Sequence, residues 1–347
     1  MQAALLLGYG IPLVTDTQPD PVPAADGVVL QVLACGVCRS DWHVWHGDWQ
    51  WRMPLEFPHV LGHEVVGEVV ARGSGVEGFP VGTRVVVPFH QDCGRCPQCA
   101  GGSANLCDNY TAIGFQRPGG FAEYIAIEGA ARNLIPIPEA VDPLIAAALG
   151  CRVMTAWHAL QDRAPATGND RIVIVGSGGL GLAALLVAKY AGARVTMVDL
   201  NPESLVLAHQ LGADATLLLT AATREAVTAS LGGTATISID AVGHASAAAV
   251  GIMALGRQGR HLQLGLSGAG EQGAFSVPID HIVKSEIAMF GSVGAPIQSH
   301  RTLVDAMSQG AFGLAGLNPR QVALDGVTSI FDEMSDGTLS GLAVVVP

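Results

Sequence analysis

Two rhythms of apolar and polar positions divide this chain. Over the first part the apolar stretches are short. A Val/Leu-rich run at 28–34, a Val-rich run around Gly67 at 65–70 and Arg-Val-Val-Val at 84–87 read as buried strands. Proline and glycine punctuate them, with Pro12, Pro19, Pro21, Pro23 and Gly27 before the first run and Pro88, Pro97, Pro118, Pro136 and Pro138 after the third. Gly119-Gly120 leads into a further strand at 121–125. Short strands separated by frequent turns predict a mostly β domain. An Ala-rich stretch at 142–149 reads as a helix, with Asp142 as N-cap and Pro143 at its first position. Another helix is expected at 155–160.

After Gly168 the rhythm changes. Strands are expected at 171–175, 194–198, 215–219, 236–241 and 260–264. Helices are expected between them, to about 191, around 202–211, around 223–230 and before the last strand. Strand–helix alternation means a parallel sheet with helices on both faces. That alternation ends near Gly291, so the C-terminal stretch is assigned back to the first domain. The fold class expected is α/β. A mostly β domain spans 1–151 and 292–347, and a doubly wound domain spans 152–291.

Composition narrows the partners. Over 347 residues the net charge is -12, and no cluster of Lys or Arg occurs. That argues against nucleic acid and against an anionic membrane surface. The uncharged stretch 172–188 carries a Gly/Ser cluster and ends at Lys189, as a turn and helix would, rather than as a membrane span. The N-terminus lacks a basic region followed by a cleavage site, so a cytoplasmic protein is expected.

Three groups of residues carry candidate chemistry. Cys93, Cys96 and Cys99 are separated by two-residue gaps, and Cys107 follows. Four thiolates close a tetrahedral shell, and the Gly, Pro and polar residues between them make poor core. A structural zinc is expected in a lobe at about 92–109; an iron–sulfur cluster takes the same ligands. The second group, Cys38 with His63 in a stretch that ends at Glu64, offers a thiol and an imidazole that a catalytic zinc accepts. Taken alone, that pair reads equally as a buried Cys and a core His.

The third group is Gly176-Ser177-Gly178-Gly179-Leu180-Gly181, which follows a buried strand and opens a helix. In that context Gly176 makes the turn, Gly178 lets a pyrophosphate approach, and Gly181 lets the helix pack on the strand. Gly179 and Leu180 present backbone N–H groups at the helix start. Asp199 ends the next strand, about twenty residues on, and suits both ribose hydroxyls. Its carboxylate would repel a 2′-phosphate, so NAD is expected over NADP.

Together, Cys38-Arg39-Ser40-Asp41, Gly62-His63-Glu64, the four-cysteine lobe, Cys151 with Thr155, and the glycine-rich loop with Asp199 resemble the zinc-dependent medium-chain alcohol dehydrogenases over essentially the whole chain. The resemblance implies a GroES-like catalytic domain, a Rossmann domain and a cleft between them. It implies two zinc ions per chain, the catalytic one on Cys38, His63 and Cys151. Glu64 matches a carboxylate that approaches the zinc during ligand exchange, and Asp41 the group that orients His63. Ser40 matches the hydroxyl that takes the substrate proton, and His43 the imidazole that passes it to solvent. Arg39 matches a pyrophosphate contact, Thr155 a nicotinamide contact, and Trp49 and Phe89 the substrate pocket. The expected activity is hydride transfer between NAD(H) and a small-molecule alcohol or carbonyl, in a homodimer or homotetramer. A catalytically idle NAD-binding scaffold and a zinc-free quinone or enoyl reductase share the fold as alternatives. Two positions depart from the family pattern. Leu342 stands where an Arg is common, and Arg152 follows Cys151 where a small residue is common. If Arg152 is buried, it needs an anionic partner.

Overall fold

The computed structural model describes residues 1–347, the side chain of residue 315 excepted. The chain forms two compact units. One comprises residues 1–154, 294–310 and 318–347, the other 155–293 and 311–317. Each is described by itself.

The first unit is built on a mixed sheet with the long strand Val28–Val37 at its heart. One neighbour is Glu64–Arg72, antiparallel, with Gly36 opposite Glu64. On the other side the strand pairs first with Tyr124–Ile127 and then with Ala343–Val345. The chain's last strand thus lies beside Cys35, Gly36 and Val37, which is why the C-terminal stretch belongs here. The sheet continues through Arg84–Val87 and Ile135–Pro136 at one edge and Arg320–Val322 at the other. A smaller sheet joins Gln2–Leu6 to Val14–Thr17 and His59–Val60. The first strand of that sheet and its partner at Val14–Thr17 were not anticipated from the sequence. Val14–Thr17 is exposed along its whole length, so it lacks an apolar signal.

Val28–Val37 feeds directly into the helix Arg39–His46, whose N-cap is Cys38. The helix expected at 142–149 begins as foreseen, with Asp142 accepting from the Leu144 N–H at 2.9 Å and Pro143 in the first turn. It tightens into a 3₁₀ segment at Ala147–Gly150, and a new helix starts at Arg152. Cys151 sits in the break between them.

The second unit holds a parallel sheet in the order Ala215–Leu218, Arg194–Asp199, Arg171–Val175, Ala235–Asp240, Leu255–Gln263, Ala288–Gly291. Numbered along the chain this is 3-2-1-4-5-6, the doubly wound order in which ligands bind where the winding reverses. Val173, Val175, Val198, Ile252 and Leu255 belong to a fully buried core on one face. Ala288–Gly291 escaped the sequence reading because Ala288 and Met289 face outward. Residues 311–317 join this unit, although the sequence assigned them elsewhere. Phe312 packs edge-on against Trp157 and Tyr190, with ring centroids 5.5 and 5.7 Å away. No single helix among the described residues is long and apolar enough to cross a membrane.

Asp170 pins the N-terminal ends of the parallel strands. Its carboxylate accepts from Thr167 N at 2.8 Å, Thr236 Oγ1 at 2.7 Å and Arg260 Nη2 at 2.8 Å. Burial alone would raise its pKa, but these donors hold it below the usual carboxylate value. Stability from this group is therefore present above the unfolded carboxyl pKa and is lost as pH falls through the lower folded value. Asp170→Ala is expected to cost about 3 kcal/mol at pH 7, the scale of hydrogen bonds to a charged acceptor. The penalty should shrink toward pH 3, and denaturant melts at the two pH values measure the difference.

Candidate functional site

The candidate metal-ligating side chains of the first unit converge through the strand–helix junction at Cys38. Cys38 caps the helix that carries Asp41 in its first turn, and Asp41 is fully buried. One oxygen of Asp41 accepts from the Cys38 N–H at 2.9 Å. The other accepts from the Gly62 N–H at 3.1 Å and from His63 Nδ1–H at 2.8 Å. A carboxylate on Nδ1 selects the tautomer whose Nε2 lone pair is free. That Nε2 is buried and makes no hydrogen bond. An orphaned buried acceptor of this kind asks for a partner.

The partner it fits is a metal ion. Ligand atoms of Cys38, His63, Glu64 and Cys151 all lie within 4.8 Å of one another. The hydrogen bond between the two thiols pulls Cys38 well below the usual thiol pKa and pushes Cys151 well above it. Sulfurs this close share one proton unless a cation replaces it. Burial would lower His63, but the Asp41 carboxylate outweighs it and pushes the imidazole well up, so Nε2 takes a proton wherever no metal ion holds its lone pair. This donor set, two thiols, one imidazole and a neighbouring carboxylate, is one that zinc accepts.

Arg152, flagged in the sequence as needing an anionic partner, has one in Glu64. Glu64 Oε1 accepts from Arg152 N at 3.2 Å and Nε at 2.8 Å, and Oε2 accepts from Nη2. Both side chains are buried. Burial pushes the Glu64 carboxyl up to about 7, with the Arg152 charge pulling against it.

Ser40 and His43 lie three apart on the helix Arg39–His46, neighbours on one face. Ser40 is not the helix cap; Cys38 is. His43 Nδ1 bonds Asp48 Oδ2 at 2.7 Å, and Asp48 Oδ1 takes His46 Nδ1 at 2.8 Å. Burial lowers the His43 pKa, and Asp48 counters. Asp48 was missed in the sequence, where a carboxylate after a His-rich helix carries no signal of its own. Trp49 stacks on His43 with centroids 4.8 Å apart. Phe89 lies edge-on to His63 at 6.0 Å, and Phe115, also missed, packs against the same imidazole at 4.8 Å. Arg39 donates to Met334 O at 2.6 Å and covers the Trp42 ring. Trp42, Trp45 and Trp49 are buried, whereas Trp51 is exposed. Leu342 is buried, and its carbonyl accepts from Arg320 N at 2.8 Å.

In the lobe, the sulfurs of Cys93, Cys96, Cys99 and Cys107 form a second cluster of ligand atoms. Backbone N–H groups of Asp108 and Asn109 point at Cys96 and Cys107 from 3.4 and 3.3 Å. The Arg95 N–H draws Cys93 down to about 6, whereas burial pushes Cys99 up to about 12. Donors aimed at sulfur stabilise thiolates, the form that binds metal.

In the second unit, Gly176 takes the left-handed conformation with φ 102°. A side chain at Gly181 would collide with the Gly176 carbonyl, so helix Gly179–Tyr190 packs directly on the turn. A Cβ on Gly178 would meet nothing within 4 Å, so open space lies over the loop. Asp199 accepts from the backbone of Ser177 and Asn201, which places the carboxylate beside the glycine-rich turn. These features suit a dinucleotide pyrophosphate and ribose. Thr155 is buried in the helix Arg152–His158.

The chain is similar to known proteins over its whole length. Residues 24–139 match the profile of the alcohol dehydrogenase GroES-like domain, and 179–309 that of the zinc-binding dehydrogenases. An alcohol dehydrogenase of Geobacillus stearothermophilus is 31% identical, covering 99% of both chains. An L-threonine 3-dehydrogenase of Rhizobium rhizogenes is 30% identical, covering 94% of this chain and 93% of its own. The crystal structure of an alcohol dehydrogenase from Aeropyrum pernix superposes with a TM-score of 0.90 at 27% identity, over 100% of both chains. The chain belongs to the zinc-dependent medium-chain alcohol dehydrogenase family.

Proposed function

We propose that this chain is an NAD-dependent alcohol dehydrogenase with one catalytic and one structural zinc ion, acting on apolar alcohols and the matching aldehydes or ketones. The observation that carries the reading is the buried His63 Nε2, orphaned and set among the Cys38 and Cys151 sulfurs. Held there by Cys38, His63 and Cys151, zinc supplies the Lewis acidity that lowers the pKa of an alcohol hydroxyl and polarises a carbonyl.

The chain's own residues do the rest. Asp41 keeps His63 in the ligating tautomer. Ser40 accepts the hydroxyl proton at Oγ. His43, with Nδ1 tied to Asp48, carries the proton outward through Nε2. Trp49, Phe89 and Phe115 bring aromatic rings to His43 and His63, surroundings that suit an apolar substrate better than the ammonium and carboxylate of an amino acid. Cys93, Cys96, Cys99 and Cys107 hold the structural zinc and order their lobe. Asp199 accepts from ribose hydroxyls and disfavours a 2′-phosphate.

Cys151→Ser is expected to lose one of two metal ions per chain and nearly all alcohol oxidation, while the other ion stays. Elemental analysis with an NADH absorbance assay reads both, and iron in the purified chain would identify a cluster in the lobe instead. Aromatic and aliphatic alcohols are expected to exceed L-threonine in kcat/KM by about a hundredfold, the scale set by unpaired charges in an apolar site. Asp199→Ala should narrow the NAD-to-NADP preference by about tenfold, the loss of one or two hydrogen bonds. Asp48→Asn removes the charge that raises His43. The acid limb of the kcat/KM profile should therefore move to lower pH, and a limb that stays in place would separate His43 from the proton path.

A further inference from the structure

We propose that Arg152 is a positioning residue that holds the Glu64 carboxylate off the metal carried by Cys38, His63 and Cys151, keeping one coordination position open for substrate. This rests on reading that cluster as the catalytic zinc site.

Glu64 is next to His63 in sequence, is fully buried, and has an oxygen within 4.8 Å of the Cys38, His63 and Cys151 ligand atoms. Carboxylate oxygen is a competent zinc ligand. Two thiolates, an imidazole and this carboxylate would close the tetrahedron, which is the pattern of a structural site rather than a catalytic one. Arg152 stands against that closure. Its backbone N–H and Nε–H both donate to Glu64 Oε1, and its Nη2 donates to Oε2, so neither oxygen is left to the metal alone. The planar guanidinium matches both oxygens at once, which a lysine ammonium cannot do.

Charge favours the same arrangement. Zinc with two thiolates is formally neutral, and so is Glu64 with Arg152. If Glu64 moved onto the metal, one buried group would become anionic and a guanidinium only 5% exposed would be left without its counter-ion. The space for the pair is built in. Gly36 lies opposite Glu64 in the sheet, and a Cβ there would come within 2.8 Å of Arg152 Nη2 and 3.1 Å of Glu64 Cβ. A Cβ on Gly150 would come within 3.1 Å of the Glu64 backbone.

The test uses the full chain with Co²⁺ in place of zinc and imidazole as the probe of the open position. In the wild type, imidazole should shift the ligand-field bands of one cobalt; the four-thiolate cobalt of the lobe, having no open position, should not respond. In Arg152→Met the bands should already be altered without imidazole, and imidazole should bind about tenfold more weakly, the lower end of what partners of metal ligands carry. A chelator should also strip that cobalt more slowly. Arg152→Lys, which keeps the charge and loses the fork, should fall between the two and serves if the Met variant does not fold. Arg152→Met/Glu64→Gln should recover imidazole binding, which loss of packing alone would not explain. Wild-type bands and wild-type imidazole affinity in both Arg152→Met and Arg152→Lys would overturn the proposal and leave Arg152 a structural anchor. If the wild type takes cobalt only in the lobe, the zinc reading itself fails, and this proposal with it.

Discussion

The Asp41 carboxylate is the tie on which the first unit's cluster of candidate metal ligands depends. It is wholly buried and accepts from three donors on two segments: the Cys38 N–H, the Gly62 N–H and the His63 imidazole. Cys38 and His63 lie on separate elements, and nothing in either element alone would bring thiol and imidazole together. Asp41 joins the helix start to the strand entrance and sets which imidazole nitrogen faces the sulfurs. A carboxylate that satisfied only one of these donors would leave the others buried and unpaired, at a cost in stability. Positioning and tautomer choice are thus one interaction.

Around this tie the site is assembled from groups whose charges close locally. Two thiols share a proton or a cation, and Glu64 is matched by Arg152. Asp41 is matched by the imidazole and two backbone dipoles. Such closure is what a dry interior demands, because an isolated buried charge is far costlier than a paired one. It also separates the roles of two carboxylates in one small volume. Asp41 reaches Cys38 and His63 through hydrogen bonds, whereas Glu64 faces the guanidinium of Arg152 at the start of the helix Arg152–His158.

The second unit solves a different problem with backbone rather than side chains. A left-handed Gly176 turns the chain, and Gly181 admits close packing of the helix. Gly178 leaves open space over a row of N–H groups. Asp199, at the end of the neighbouring strand, accepts from the Ser177 and Asn201 backbone beside that turn. The four-cysteine lobe is a third case, in which a segment with little apolar content gathers four sulfurs in place of a core, a donor set that could hold a metal ion.

By itself the sequence determined the features with a strong local signal. The two apolar rhythms specify a β-rich part and a doubly wound part. The cysteine spacing specifies the lobe, and the strand–glycines–helix order specifies the nucleotide loop, because each signal lies within one or two adjacent elements. Val14–Thr17 and Ala288–Gly291 were poorly readable, since exposed edge strands carry no alternation. Only tertiary structure decided the partners. That Arg152 meets Glu64, 88 residues away, and that Phe115 packs on His63 are long-range pairings that no local signal carries. Residues 311–317 join the second unit because Phe312 finds its aromatic neighbours there. A side chain's chemistry is written in one letter, but the group that will neutralise or orient it is chosen by the backbone's path, to which no single position in the chain testifies.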